Sequence, residues 1–427
     1  MLNSAGTSIR REILAGVTTF VTMAYIIIVN PAILEAAGLP REASVSATIL
    51  ASALGTFIMG VYARRPFAVA PLMGENAFIA FTVVKLLGFS WQVALGAVFV
   101  SGVLFILLTL VGARAYAAGA IPGSLKLSFA VGIGLFLTFI GMNETGIVVL
   151  GVQGSPVRAG NFHDPAVLLA AGGVLLIVGM MLRKIQGAII IGIVVVTLAA
   201  MLTGNARLPE QLVSLPASLA PVALQLDLPG ALRWEMMPIL LTVFVMVFVD
   251  TLATLFGLSV RAGLLDEKGN LPQIERPMLT DAIATAAAAL LGTTTTGAYI
   301  ESAAGIASGG KTGLTSVVVA ALFVLSLFFT PLFTSVPACA YGPALIVVGL
   351  LMLEPVRKIP FDDYTELVPA FVTIVLMVFT FNIGIGMTAG FVVYPLLKLL
   401  AGRWREVSGG MWFLGLLSLC FFLFAPH

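Results

Sequence analysis

The chain has 427 residues, of which 59% are hydrophobic and only 10% charged, with a net charge of +2. A soluble domain carries about 25% charged residues, so the composition excludes a water-soluble fold and leaves a polytopic membrane protein. The small net charge gives no footprint for nucleic acid, and no His/Cys/Asp cluster or Ser–His pairing falls inside the apolar runs, which argues against an enzyme.

The apolar runs, read against a requirement of about 20 residues per crossing, predict fourteen transmembrane spans. Arg10 and Arg11 lead straight into the first, the pattern of a chain without a cleaved signal peptide. The first seven spans are placed at 9–36, 43–62, 72–87, 92–113, 123–142, 165–182 and 185–203. The second seven are placed at 234–260, 278–292, 300–309, 313–335, 341–353, 366–381 and 383–400. A last apolar stretch, 411–424, is short for a crossing and reads as an interfacial or re-entrant tail. Cys339 and Cys420 lie in apolar surroundings and read as buried fillers.

With the N-terminus in the cytoplasm, Arg10, Arg11, Arg64, Arg65, Arg114, Lys126, Arg183, Lys184, Arg261, Lys268, Arg276, Lys311, Arg357, Lys358, Lys398, Arg403 and Arg405 fall inside. Arg41, Lys85, Arg158, Arg207 and Arg233 fall outside. This satisfies the positive-inside rule and supports the span order.

The two halves, 9–203 and 234–400, echo each other. Phe20-Val21-Thr22-Met23 resembles Phe244-Val245-Met246; Glu75 and Glu301 stand in the short third and tenth spans; Ile121-Pro122 matches Val336-Pro337. Seven spans per repeat force opposite orientations, so the repeats are inverted. The segments before the two short spans, 65–71 and 293–299, are rich in Pro, Val and Thr. These residues disfavour helix and favour extended chain. Each is expected to be a short extended segment that meets a half-helix near mid-membrane. Such backbone survives there only when buried in protein or lining a cavity, and the half-helix N-termini offer N–H groups to a polar ligand.

Acidic groups at bilayer depth cost about 2.5–3.5 kcal/mol each and mark substrate or ion pathways. Asp250 lies in the eighth span, and Glu301 follows the second extended segment. The fold expected is therefore an all-α, seven-plus-seven inverted-repeat transporter.

Several motifs, met in order, carry a resemblance. They are Gly16-Val17-Thr18-Thr19-Phe20-Val21-Thr22-Met23-Ala24-Tyr25 with Asn30-Pro31, Met73-Gly74-Glu75-Asn76-Ala77-Phe78, Ile121-Pro122-Gly123-Ser124-Leu125 and Gly132-Ile133-Gly134-Leu135-Phe136. Tyr299-Ile300-Glu301-Ser302-Ala303-Ala304-Gly305 and Gly309-Gly310-Lys311-Thr312-Gly313-Leu314-Thr315 complete the set. Together they resemble the azaguanine-like purine permeases of the nucleobase/ascorbate transporter superfamily. The resemblance implies a substrate-holding core of spans 1–4 and 8–11 (9–113, 234–335) that moves, elevator-like, against a gate of spans 5–7 and 12–14 (121–203, 341–400). It also implies proton-coupled import of adenine, guanine or hypoxanthine across the cell membrane, with no cofactor. Sodium as the coupling ion, and a homodimer, stay open.

On that reading Glu301 accepts hydrogen bonds from the base, and Asp250 binds the base or carries the proton, with Glu75 as its relay partner. Asn76, Thr295, Thr296 and Ser302 offer further polar contacts, while Phe78, Phe248 and Tyr299 offer stacking faces. Each has a plainer alternative as a helix cap or packing residue. Asp281 and Glu144 are read as interfacial, and His163 and His427 as uninvolved. The acid of the eighth span is followed by Leu252 and Ala253 where the family usually has a hydroxyl and a glycine, and Glu75 stands where a neutral residue is commoner. The rival reading is an anion carrier on the same fold, which would place a basic or neutral residue at the half-helices.

Overall fold

The computed structural model describes residues 7–111, 121–152, 155–209, 211–264 and 273–424. Its membrane elements run as two inverted sets of seven. The first span is broken into Ile9–Met23 and Ile26–Ala36, and the second is Arg41–Ile58 extended by a π-helical turn, Met59–Ala63. After strand β1 (Val69–Pro71) comes the third, Met73–Ala77 running on as a wider π-helix, Phe78–Leu86. The fourth to seventh are Trp91–Leu110, Gly123–Glu144, Pro165–Leu182 and Ala188–Leu202. The eighth and ninth are Met237–Arg261 and Glu275–Leu291. Strand β4 (Thr296–Ala298) then precedes the half-helix of the tenth, Ser302–Ala307. Gly313–Ser326, Ala338–Leu351, Tyr364–Phe379 and Ile383–Leu400 complete the set.

Helix starts follow local chemistry. The side chains of Ser8, Asp164, Thr312 and Asn382 each accept a hydrogen bond from an N–H of the first turn, the usual device for otherwise unpartnered donors. The break in the first span has a local cause as well. Thr22 Oγ1 donates back to the carbonyls of Thr18 (3.0 Å) and Thr19 (2.8 Å), a bond that competes with the helix ladder and bends it.

Several boundaries differ from the sequence expectation. The tenth half-helix is shorter than 300–309, so Glu301 stands just before its first turn. The twelfth span starts at Ala338, three residues before 341, because the extended Pro337 caps it. The tail is a full helix, Gly409–Phe424, with Gly415 set against the carbonyl of Phe391. The polar connection after the fifth span forms a hairpin, β2 (Val148–Val152) with β3 (Ser155–Ala159). Arg114 and Lys268, used above to orient the chain, lie outside the described residues.

The fifth and twelfth spans show the inverted symmetry directly. A Cβ on Gly134 would lie 2.8 Å from Gly349 O, and one on Gly349 would lie 2.3 Å from Gly134 O. Seven residues along each chain, in opposite directions, a Cβ on Gly141 would lie 2.8 Å from Gly342 O. Two antiparallel helices thus touch backbone to backbone at matched points, an approach any side chain would prevent.

Candidate functional site

The two extended segments meet each other. β1 and β4 pair antiparallel with Val69 opposite Ala298, Ala70 opposite Gly297 and Pro71 opposite Thr296. Two further bonds lengthen the ladder: Leu72 N–H donates to Thr295 O at 2.9 Å, and Tyr299 N–H to Ala68 O at 2.8 Å. Both strands are buried on all residues, which satisfies the requirement that open backbone at this depth be enclosed by protein.

Side chains from neighbouring helices close the remaining bonds. Thr56 of the second span accepts from Val69 N–H and donates to Val69 O, both at 2.9 Å. Thr285 of the ninth accepts from Thr296 N–H at 3.2 Å and donates to Thr296 O at 2.9 Å. One turn before Thr285, Asp281 Oδ2 accepts from Ala298 N–H at 3.2 Å. Asp281 is 0% exposed, so the expectation of an interfacial residue is corrected. The ninth helix begins at Glu275 rather than 278, which carries Asp281 deeper and against the crossing. Glu144, by contrast, is partly exposed near a span end and accepts from Tyr341 O–H at 3.2 Å.

An amide network ties the first three spans to the segment leading into β4. Asn30 Nδ2 donates to Thr48 Oγ1 (2.8 Å) and Thr293 Oγ1 (3.0 Å), and its Oδ1 accepts from Asn76 Nδ2. Asn76 Oδ1 in turn accepts from Thr294 Oγ1. Asn76 is fully buried, and both ends of its amide are engaged.

The carboxylates gather around this scaffold. Glu301 and Asp250 are partly exposed within the protein, whereas Glu75 is buried with Oε1 unpartnered among the described residues. Asp250 and Glu75 lie within electrostatic reach of each other. Glu301 Oε1 accepts from the hydroxyl of Tyr25, which the break in the first span delivers. No Lys or Arg among the described residues forms an ion pair with any of the three. Ser302 Oγ accepts from Ala68 N–H at 2.9 Å, so it joins the tenth half-helix to the approach of β1. Tyr299 O–H donates to Pro71 O at 2.5 Å. The hydroxyls of Thr295 and Thr296 are buried without a partner among the described residues.

The aromatic residues divide. Phe248 packs edge-on to Phe105, with ring centres 5.8 Å apart, and stacks on Phe244 at 6.1 Å. Phe78 is buried at the junction where the third half-helix widens. The side chains of Leu252 and Ala253 lie outside the described residues. The sequence reading did not single out Tyr25, Asn30, Thr56 or Thr285. Tyr25 and Asn30 did stand at the end of the first motif, a usable signal. Threonines in apolar helices carry no such mark.

A sequence profile of the Permease family (Xan_ur_permease) matches residues 10–389. A Methanocaldococcus jannaschii protein named as a permease is 48% identical over 98% of this chain and 95% of its own length. The adenine permease AdeQ of Escherichia coli is 40% identical over 94% of this chain and 90% of its own. The guanine/hypoxanthine permease PbuG of Bacillus subtilis is 40% identical over 98% and 97%. Among solved structures, the transmembrane domain of a cyanobacterium bicarbonate transporter, BicA, superposes with a TM-score of 0.66 at 17% identity, covering 89% of this chain and 97% of that one. At that identity the likeness speaks for the fold alone.

Proposed function

This chain belongs to the Xan_ur_permease family of permeases, and from that premise we propose that it imports a purine nucleobase by proton symport. The observation that carries the proposal is the cluster of Glu301, Asp250 and Glu75 at the strand crossing, without a paired cation among the described residues. A neutral purine presents N–H donors, and a carboxylate accepts them more strongly than a neutral oxygen does. The names of the E. coli and B. subtilis relatives, adenine and guanine/hypoxanthine permeases, support a purine. An anion substrate would meet like charge at this site, so the shared fold of the bicarbonate transporter does not extend to shared cargo.

In this reading Glu301 makes the main polar contact with the base. Tyr25 holds it in place, and the hydroxyls of Thr295 and Thr296 are within the same site. Asn76, Ser302 and Tyr299 keep the crossing rigid, and Phe78 and Phe248 wall it. Asp250 and Glu75 carry the proton. The site rides on a core of spans 1–4 and 8–11, which moves against a gate of spans 5–7 and 12–14, with the N-terminus in the cytoplasm.

Uptake of radiolabelled adenine, guanine and hypoxanthine into proteoliposomes, with and without a protonophore, tests the function. Saturable, protonophore-sensitive uptake of at least one is expected; movement of bicarbonate or sulfate in its place overturns the proposal. Glu301→Gln tests the site. A charge-assisted bond contributes about 1.5–3 kcal/mol, so purine affinity should fall about ten-fold or more. Unchanged affinity removes Glu301 from the contact.

A further inference from the structure

Where the second span ends and the eleventh begins, the chain builds a second, unrelated feature. Gly60 and Gly313 touch backbone to backbone, since a Cβ on Gly60 would lie 2.6 Å from Gly313 O and one on Gly313 would lie 1.9 Å from Gly60 O. Beside this contact lies an open cavity of about 460 Å³, lined by Val61, Arg64, Lys311, Thr312 and Leu314. The mouth carries two cations. Arg64 and Lys311 are both exposed, and Arg10 and Arg11, also exposed, lie on the neighbouring first span. Among the described residues no carboxylate forms an ion pair with any of these four.

The helix N-terminus beside the cavity is already occupied by the protein's own anion. Glu12 of the first span accepts from the backbone N–H of Lys311 (3.1 Å), Thr312 (3.3 Å) and Thr315 (3.3 Å), and from Thr315 Oγ1 at 2.6 Å. Thus the Gly309–Thr315 motif serves as an internal nest for a carboxylate. A ligand of the cavity therefore meets the side-chain cations and not this N-terminus.

Below the cations the surface turns apolar. Leu54, Phe57, Val61 and Tyr62 of the second span are 40%, 49%, 54% and 44% exposed, the outward face of a helix that meets acyl chains. Cations at the rim and bare apolar surface beneath match one molecule in two parts: a phosphate headgroup and its hydrocarbon tail. We propose that this notch binds an anionic phospholipid, with Arg64 and Lys311 on the phosphate and the chain laid along the second span. By seating a lipid where the first, second and eleventh spans meet, the site would tie their packing to membrane composition.

Native mass spectrometry of the full chain in detergent tests this with phosphatidylglycerol against phosphatidylcholine. The wild-type protein should retain phosphatidylglycerol selectively, and Arg64→Gln combined with Lys311→Gln should weaken that retention about ten-fold or more. Arg357→Gln with Lys358→Gln, a change of equal charge elsewhere, should leave it intact. Equal retention of both lipids by the wild type, or unchanged retention by the Arg64/Lys311 variant, overturns the proposal. So does displacement of the lipid by glycerol phosphate at the same concentration, which would show a headgroup site with no place for the chain. If the double variant does not fold, Val61→Glu sets a carboxylate at the rim and should weaken phosphatidylglycerol retention to a similar extent; no change there also overturns it.

Discussion

Thr56 and Thr285 do the same task in opposite halves of the molecule: each hydroxyl accepts from the N–H and donates to the carbonyl of the first residue of a strand, Val69 and Thr296 respectively. One hydroxyl can act as donor and acceptor at once, so a single threonine closes both open groups of a buried backbone unit. The inverted repeat is thereby reproduced at the level of individual hydrogen bonds.

Replacing either threonine by valine keeps the shape and deletes both bonds. Buried backbone groups left unsatisfied cost about 1–3 kcal/mol each, so Thr56→Val and Thr285→Val should each lower the thermal midpoint in detergent. Thr→Ser at either position retains the hydroxyl and should fall much less. Equal losses for valine and serine would show that the methyl group, not the hydroxyl, is what the fold requires.

The repeats part company one step further along. On the ninth span Asp281 and Thr285 stand one turn apart and hold residues 298 and 296, two apart on β4. A helix rises about 6 Å over four residues, and a strand advances about 6.6 Å over two, so the two spacings match. In the first half, the residue two beyond Val69 is Pro71, which has no N–H to satisfy. The second-span residue one turn before Thr56 is Ser52, whose hydroxyl bonds instead to Thr48 O at 2.7 Å. The acid is present in the repeat whose strand has a donor to hold and absent from the other.

A direct consequence concerns Asp281. Asp281→Asn keeps an acceptor oxygen for Ala298 N–H and should fold with near-normal stability, while Asp281→Leu strands that donor and should cost about 1–3 kcal/mol. Thermal unfolding of the purified variants separates the two. If asparagine is as damaging as leucine, the charge at Asp281 matters beyond the strand it holds.

The spans, their order and the two strand-to-half-helix breaks were legible because each leaves a composition signal: long apolar runs, or Pro, Val and Thr where helix should be. Glu301 and Asp250 were legible for the same reason, as charges in apolar surroundings. Asp281 was misread because its depth depended on where the ninth helix begins, and Glu275, Arg276 and Pro277 look like loop. Thr56, Thr285 and Asn30 were missed because their importance lies in partners 11 to 263 residues away. No local pattern records such pairings. The lipid-facing or buried character of a threonine is invisible until the neighbouring helix is in place.

Away from the membrane core, the loop after the fourteenth span offers a pH test. Arg403 donates to Glu406 through Nε at 2.7 Å and to Asp363 through Nη1 at 2.7 Å, while Lys398 Nζ donates to Glu406 at 2.9 Å. Hydrogen bonds from Arg403 and Lys398 hold the Glu406 carboxyl down at about 2 from its ordinary 4.5. Hydrogen bonds from Thr365 and Arg403 hold Asp363 well below the usual carboxylate range. Both folded values lie below the unfolded ones, so the stabilisation is complete above about pH 4.5 and lost as pH falls towards 2. The thermal midpoint should drop through that window, and Glu406→Gln should flatten the drop. Because the Arg403–Glu406 pair is solvent-exposed, high salt should shrink its share of the effect. A profile that Glu406→Gln leaves unchanged would assign the acid sensitivity elsewhere.

The coupling proposal yields the sharpest functional test. Asp250 and Glu75 lie within electrostatic reach of each other and have no paired cation among the described residues. Adding a proton to either one removes the repulsion between them, which is worth most where water is scarce. A purine that docks on Glu301 next to this pair changes the field the proton feels, so proton and base influence each other's binding. That reciprocity is what a symporter needs, because both ligands must favour the same conformational change. Asp250→Asn fixes the pair in a neutral form at one site and should abolish accumulation of purine against a gradient. Exchange of labelled for unlabelled base, which needs no net proton movement, should persist. Glu75→Gln should weaken the dependence on an imposed pH gradient without abolishing binding. Should Asp250→Asn still concentrate purine when only a pH gradient is imposed, Asp250 is not the coupling group. Repeating the assay with a sodium gradient and the Glu75→Gln variant would then separate a second proton carrier from a sodium-driven mechanism.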